Sequence, residues 1–123
     1  MAGQGNTGLR RIVSATFNSA AGLKAAWVNE AAFRQECALA VILLPAAFWV
    51  GRGAVELGML IGSVLLVLIV ELLNTAVEAT VDRVGTERHQ LSGRAKDLGS
   101  AAVLIALLLM VVVWALIAWQ NFA

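Results

Sequence analysis

Two long apolar stretches, residues 57–81 and 98–119, constrain this chain more than any other feature of its sequence. At about 1.5 Å of rise per residue, each stretch is long enough as a helix to cross a hydrocarbon layer of roughly 30 Å. Hydrophobic residues make up 60% of the 123, which is more apolar surface than a water-soluble core of this size could hide. The excess must face lipid, so we expect an all-α membrane protein.

A third and shorter apolar stretch completes the predicted set of three transmembrane helices. It crosses the bilayer only as residues 31–50, with Arg34 and Glu36 reaching the interface or the protein interior. Before it, residues 9–27 mix apolar positions with small and basic ones, which predicts an amphipathic helix on the membrane surface. No repeat or linker divides the chain, so residues 1–123 are expected to form a single integral membrane domain.

Basic residues are distributed unevenly around the three spans. They accumulate before the first span and between the second and the third, whereas Arg52 alone lies between the first and the second. By the positive-inside rule, this asymmetry predicts a cytoplasmic N-terminus and an external C-terminus. Residues 1–8 are polar and rich in glycine, so the first span is expected to direct membrane insertion without a cleavable signal.

A polar stripe runs along the second span. It consists of Glu71, Asn74, Glu78 and Asp82. At about 100° of rotation per residue, these four positions share one helix face. An ionised acid near the bilayer centre costs on the order of 3 kcal/mol by insertion scales, so something outside the helix must compensate the stripe. Mg²⁺ is a suitable partner, because it is usually held by one or two carboxylates together with substrate phosphates.

The spacing of these acids is also compatible with roles that involve no nucleotide. The acids could pair with Arg34, Arg94 or Lys96 and hold a purely structural assembly subunit together. They could also bind protons or cations during alternating access, as in a small ion-coupled transporter. Glu30, where the surface helix meets the first span, is either a second metal carboxylate or the ion-pair partner of Arg34.

Three further patterns concern packing, helix ends and nucleotide contact. Gly58 and Gly62 form a GxxxG pattern, which allows close helix packing either within one protomer or between protomers. Ser92 is a candidate cap ahead of the third span. The predicted loop of residues 83–97 is the only cytoplasmic segment polar enough to contact a soluble nucleotide, although no P-loop or protein-kinase motif is present.

The segment that carries the polar stripe, ELLNTAVEATVD at residues 71–82, closely resembles the signature of the prokaryotic diacylglycerol kinase family. Similar blocks occur at residues 22–36, GLKAAWVNEAAFRQE, and at residues 91–103, LSGRAKDLGSAAV. The resemblance implies an ATP-dependent kinase that converts diacylglycerol to phosphatidic acid at the cytoplasmic face of the bacterial inner membrane. It further implies a homotrimer whose partners are membrane lipid, diacylglycerol and ATP, with no nucleic acid. An undecaprenol kinase of the same fold is the alternative.

The same resemblance implies roles for individual residues. Glu71 is similar to the proton acceptor of the family, with Asn74 orienting the site, and Glu30 and Glu78 are similar to its ligands for Mg²⁺ and ATP. Further nucleotide-contacting positions implied by the resemblance are Arg11, Asn18, Glu87, Arg88, His89, Lys96 and Asp97. The implied lipid-substrate positions are Arg11, Trp27, Arg34, Glu36, Glu71 and Ser100. At positions 18 and 88 the family commonly has aromatic residues instead.

Overall fold

A computed structural model of the chain describes residues 7–85, 87 and 89–123, and the regular structure within them is entirely helical. The four helices are α1 (Gly8–Asn29), α2 (Ala31–Val50), α3 (Gly53–Val84) and α4 (Gln90–Phe122). The last three are long and apolar enough to cross a membrane, as the sequence predicts. The predicted limits of the three membrane spans within α2, α3 and α4 stay predictions.

The polar segment between the second and third spans is mostly helix rather than loop. α3 continues to Val84 and α4 already begins at Gln90, so the predicted loop of residues 83–97 was too long. Three of the charged residues that the sequence assigned to this loop lie on the first turns of α4; they are Arg94, Lys96 and Asp97. Their backbone is therefore fixed by helical hydrogen bonds.

His89, and not Ser92, caps the N-terminus of α4. The Nδ1 atom of His89 accepts a hydrogen bond from the backbone N–H of Leu91 at 3.0 Å. The prediction of a Ser92 cap was wrong because hydropathy marks where lipid begins, whereas the helix begins where its free N–H groups find an acceptor.

α3 is the central helix of the protomer. It packs along α4 and along α2, whereas α2 and α4 touch each other little. One cluster of buried residues around α3 consists of Ala40, Val64, Val67, Ala106 and Met110. The second cluster, toward the other end of the bundle, consists of Ala47, Leu60 and Ile117. Alanines on α2 and α4 allow these helices to approach α3 closely, which favours packing where lipid removes the hydrophobic driving force.

A polar network closes the end of the bundle where α2 ends and α3 begins. Asn121 Nδ2 donates hydrogen bonds to the carbonyl of Val50 and to Glu56 Oε1, both at 2.8 Å. Arg52 donates to the carbonyl of Asn121 at 2.7 Å, and Gln120 Nε2 donates to Glu56 Oε2 at 3.0 Å. The network ties the C-terminal end of α4 to both neighbouring helices. Sequence analysis missed it.

Gly58 and Gly62 face away from the rest of the protomer. Apart from the backbone of the helix itself, no atom lies within 4 Å of a Cβ placed at either position. Packing within one protomer, one of the two predicted uses of this GxxxG pattern, is therefore not observed in the described part of the chain. The glycines belong to an exposed apolar stripe on α3 whose other members are Val55, Met59, Leu66, Ile69 and Leu73.

Candidate catalytic site

A groove of about 770 Å³ lies between α1 and the C-terminal half of α3. Small residues of α1, such as Gly22 and Ala26, leave room beside the helix, and the acidic lining comes from Glu30, Glu78 and Asp82. The two residues expected to bind a metal, Glu30 and Glu78, thus line the same groove. In the described ranges, no three His, Cys, Asp or Glu side chains are arranged to hold a metal ion by themselves. Two carboxylates completed by phosphate oxygens are, however, an ordinary Mg²⁺ environment.

Glu30 is placed by a break between two helices. It is the single non-helical residue between α1 and α2, with extended backbone angles of φ −119° and ψ 109°. The guanidinium of Arg34 donates to the carbonyls of Trp27 at 2.6 Å and Val28 at 3.3 Å, and so satisfies free carbonyls at the end of α1. Although Arg34 and Glu30 are both described, no salt bridge joins them. Glu30 therefore keeps its carboxylate available to the groove.

Glu71 lies deeper along the same face of α3 and is buried, with 4% of its surface exposed. The carboxyl group of Glu36 on α2 lies close to that of Glu71. Glu36 Oε1 is itself buried and has no hydrogen-bond partner among the described atoms. The resemblance places Glu36 in a lipid-substrate segment, but nothing in the spacing predicted that it would meet Glu71.

Asn74 and Thr75 present unpaired polar atoms next to Glu71. Asn74 Oδ1 and Thr75 Oγ1 are buried, and neither finds a hydrogen-bond partner in the described part of the chain. Gly99 of α4 lies directly against Asn74, since a Cβ at Gly99 would stand 3.2 Å from Asn74 Cγ and would overlap Oδ1. A glycine on α4 therefore makes room for the amide that the resemblance assigns to the catalytic site.

We expect Gly99→Ala to disturb the site through this contact. The added methyl group must displace the Asn74 amide or separate α3 from α4, at a cost in unfolding free energy of roughly 1–3 kcal/mol. Displacing the amide that the resemblance assigns to the catalytic site is expected to lower kcat by about ten- to a hundredfold. Steady-state kinetics and thermal unfolding in detergent measure both effects. Ala101→Val, which enlarges an exposed position on the same helix, is the control, and equal kinetics in the two variants would contradict the assignment.

A smaller pocket of about 170 Å³ lies where α3 passes into α4. Its polar lining includes Asp82, Glu87, His89 and Lys96, three of which are expected nucleotide positions. Lys96 Nζ lies 2.8 Å from Asp82 Oδ1 and forms the one salt bridge within the described residues. Pairing of the stripe acids with neighbouring cations, one of the roles that the spacing allows, thus occurs at Asp82, whereas Glu71 and Glu78 have no such partner in that part of the chain.

The remaining predicted site residues are not gathered around either cavity. Within the described ranges, the residues that are exposed and line neither one are Arg11, Asn18 and Trp27 on α1, and Asp97 and Ser100 on α4. Arg88 lies outside the described residues. Arg34 is engaged with the end of α1, as described above. Their assignment to nucleotide or lipid contacts stays a prediction.

The chain is similar to known proteins over most of its length. The family profile described as prokaryotic diacylglycerol kinase matches residues 17–118. A diacylglycerol kinase of Escherichia coli K12 is 53% identical over 116 residues, which cover 94% of this chain and 95% of that protein. The diacylglycerol kinase of Haemophilus influenzae is 56% identical over 108 residues, covering 88% and 92% of the two chains. That of Pseudomonas aeruginosa is 54% identical over 114 residues, covering 93% of each.

The family match spans most of the chain and includes the polar stripe of α3, the break at Glu30 and the first turns of α4. The relatives match at nearly full length, so the likeness is not confined to the signature segment. The chain belongs to the prokaryotic diacylglycerol kinase family.

Proposed function

We propose that this chain transfers the γ-phosphoryl group of ATP to the free hydroxyl of diacylglycerol. The observation that carries the proposal is the arrangement of acids on one face of α3. Glu78 and Glu30 line the same groove, while Glu71 is buried about 10 Å deeper along the helix. Carboxylates at the groove suit a metal–nucleotide complex, and a buried carboxylate suits a hydroxyl presented from the membrane.

In the proposed reaction, the lipid hydroxyl oxygen attacks the γ-phosphorus. The bond from that phosphorus to the β–γ bridging oxygen breaks, ADP leaves, and the hydroxyl proton passes to Glu71. Asn74, whose Oδ1 is free of protein partners in the described part of the chain, orients the reacting groups. Phosphoryl transfer requires little covalent chemistry from a protein, so positioning and charge neutralisation make up most of the catalysis.

Glu30 and Glu78 are the residues that would hold Mg²⁺, together with phosphate oxygens of the nucleotide. When bound, the ion would neutralise phosphate charge. Lys96, at the smaller pocket, adds a positive charge for the polyphosphate. These assignments follow the family resemblance, and the shared groove of Glu30 and Glu78 supports them.

The proposal includes an inner-membrane protein with a cytoplasmic N-terminus. Both cavities open near the ends of α1 and α3, where the sequence places most of its basic residues. Among the described residues, Arg52 is the only basic one at the opposite end of the bundle, and it donates a hydrogen bond to the carbonyl of Asn121. The positive-inside rule therefore supports a site that faces the cytoplasm, where ATP is available.

We further propose that the protein acts as a homotrimer. The exposed stripe on α3 repeats at intervals of three and four residues and contains Gly58 and Gly62. Small residues in such a stripe permit close approach of a second helix in lipid. Replacing Gly62 by leucine is therefore expected to shift the protein from trimer toward monomer in size-exclusion chromatography with light scattering. Ala102→Leu, on the exposed part of α4, is the control, and an unchanged trimer in Gly62→Leu would exclude this stripe as the interface.

The activity is tested by phosphate transfer from labelled Mg-ATP in mixed micelles that contain either diacylglycerol or undecaprenol. Labelled phosphatidic acid is the expected product. Transfer to undecaprenol alone would keep the mechanism and change the acceptor. If phosphate is transferred to neither lipid and proteoliposomes show ion flux in the absence of ATP, the proposed kinase activity would be rejected in favour of ion transport.

A further inference from the structure

The ion pair between Asp82 and Lys96 joins the last turns of α3 to the first turns of α4. The Nζ–Oδ1 distance is 2.8 Å, and the two side chains are 43% exposed for Lys96 and 56% exposed for Asp82. Exposed ion pairs contribute little to folding, because water screens the charges and ordering two long side chains costs entropy. The contact is therefore expected to contribute little to holding α3 and α4 together.

The position of the pair indicates a different role. Asp82 lines both cavities, the groove that contains Glu30 and Glu78 and the smaller pocket that contains Lys96. Glu78 lies one helical turn before Asp82 on the same face of α3 and lines the groove beside it. The ammonium is thus held at the boundary between the two cavities.

We propose that Asp82 is a positioning residue that holds the Lys96 ammonium where it meets the polyphosphate of the bound nucleotide. The inference rests on the proposed function, in which Lys96 binds that nucleotide. An ammonium has three N–H donors, and the contact with Asp82 leaves others for phosphate oxygens. A lysine has a flexible four-carbon stem, so an anchored ammonium loses less conformational freedom when the nucleotide arrives. Asp82 takes no part in the transfer and acts through Lys96.

The negative charge of Asp82, by itself, would weaken nucleotide binding rather than strengthen it. The Asp82 carboxylate repels a polyphosphate, so its removal should strengthen nucleotide binding if positioning did not matter. Because positioning and repulsion have opposite signs, the Michaelis constant for Mg-ATP distinguishes them.

The experiment is a double-mutant cycle on the full-length protein in mixed micelles, with Asp82→Ala and Lys96→Met singly and together. Asp82→Ala is expected to raise KM for Mg-ATP about three- to fivefold, with kcat and KM for diacylglycerol unchanged. In the Lys96→Met background no ammonium remains to be positioned, so the same change at Asp82 is expected to leave KM for Mg-ATP unchanged or to lower it. Asp82→Glu, which keeps the carboxylate, should restore most of the loss. Arg83→Ala, exposed in the same turn and lining neither cavity, is the control.

An unchanged or lower KM in Asp82→Ala would overturn the inference, and so would an equal rise in the presence and absence of the Lys96 amine. If Asp82→Ala does not fold, the isosteric Asp82→Asn replaces it in the cycle, with a smaller rise expected because a neutral acceptor remains. Wild-type KM in Lys96→Met would instead overturn the assignment of Lys96 to the nucleotide. That result concerns the proposed function and is distinct from a failure of Asp82 alone.

Discussion

Replacing Glu71 by glutamine is expected to lower kcat for diacylglycerol phosphorylation by about 10²- to 10⁴-fold, the usual contribution of a general base. Glutamine has almost the same shape but cannot accept the proton that the lipid hydroxyl must release. Glu71 does not line the groove between α1 and α3, so KM for Mg-ATP should change little. Steady-state kinetics with each substrate varied in turn measure the two constants separately.

The matched control for this variant is Glu56→Gln, the same substitution near the other end of α3. Glu56 accepts hydrogen bonds from Asn121 and Gln120 in the polar network. Weakening that network should lower thermal stability while leaving the rate of transfer nearly unchanged. Near-normal turnover in Glu71→Gln, with nucleotide binding intact, would mean that another residue takes the proton.

Glu78→Gln is expected to act on the nucleotide side of the reaction, with kcat/KM for Mg-ATP reduced by about 10²- to 10³-fold. The substitution removes one of the two groove carboxylates that are proposed to hold Mg²⁺, and a neutral amide is a weaker ligand for this ion. Raising the Mg²⁺ concentration should recover part of the lost activity if the ion still binds weakly. A Mg²⁺ titration at fixed ATP, carried out on the wild type and the variant, measures this shift.

The distinction between the two acids can be checked in one comparison. Glu71→Gln should keep the wild-type Mg²⁺ dependence, whereas Glu78→Gln should require more Mg²⁺ for half-maximal activity. An identical Mg²⁺ dependence in both variants and the wild type would contradict the assignment of Glu78 as a metal ligand.

The sequence predicts the helical part of this architecture well, because the length and hydropathy of an apolar stretch are enough to indicate a membrane-spanning helix. The shared face of Glu71 and Glu78 follows from helical periodicity, and the resemblance supplies the role of Glu30, which spacing alone leaves open. These features depend on residues that are close together in the sequence. Helix ends are less predictable: the start of α4 depends on one hydrogen bond to His89, which hydropathy does not report.

The contacts that sequence analysis missed join residues far apart in the chain. Glu36 on α2 lies close to Glu71 on α3, and Gly99 on α4 leaves room for Asn74 on α3. The network between Arg52 and Asn121 bridges 69 positions. Each depends on how α2 and α4 are rotated against α3, and the nearly uniform apolar surfaces of these helices carry little periodic signal for that rotation.

The unbroken course of α3 from Glu71 to Asp82 has a consequence for how this chain can vary in length. One residue inserted between Glu71 and Glu78 would turn everything beyond it by about 100° around the helix axis. Glu78 and Asp82 would then leave the face that carries Glu71, even though every side chain was retained. Substitution of one hydrophobic residue by another in this segment keeps the acids at the same positions around the helix axis, whereas a single insertion or deletion rotates them apart. Variants of changed length between these two glutamates should therefore insert into the membrane and fail to phosphorylate.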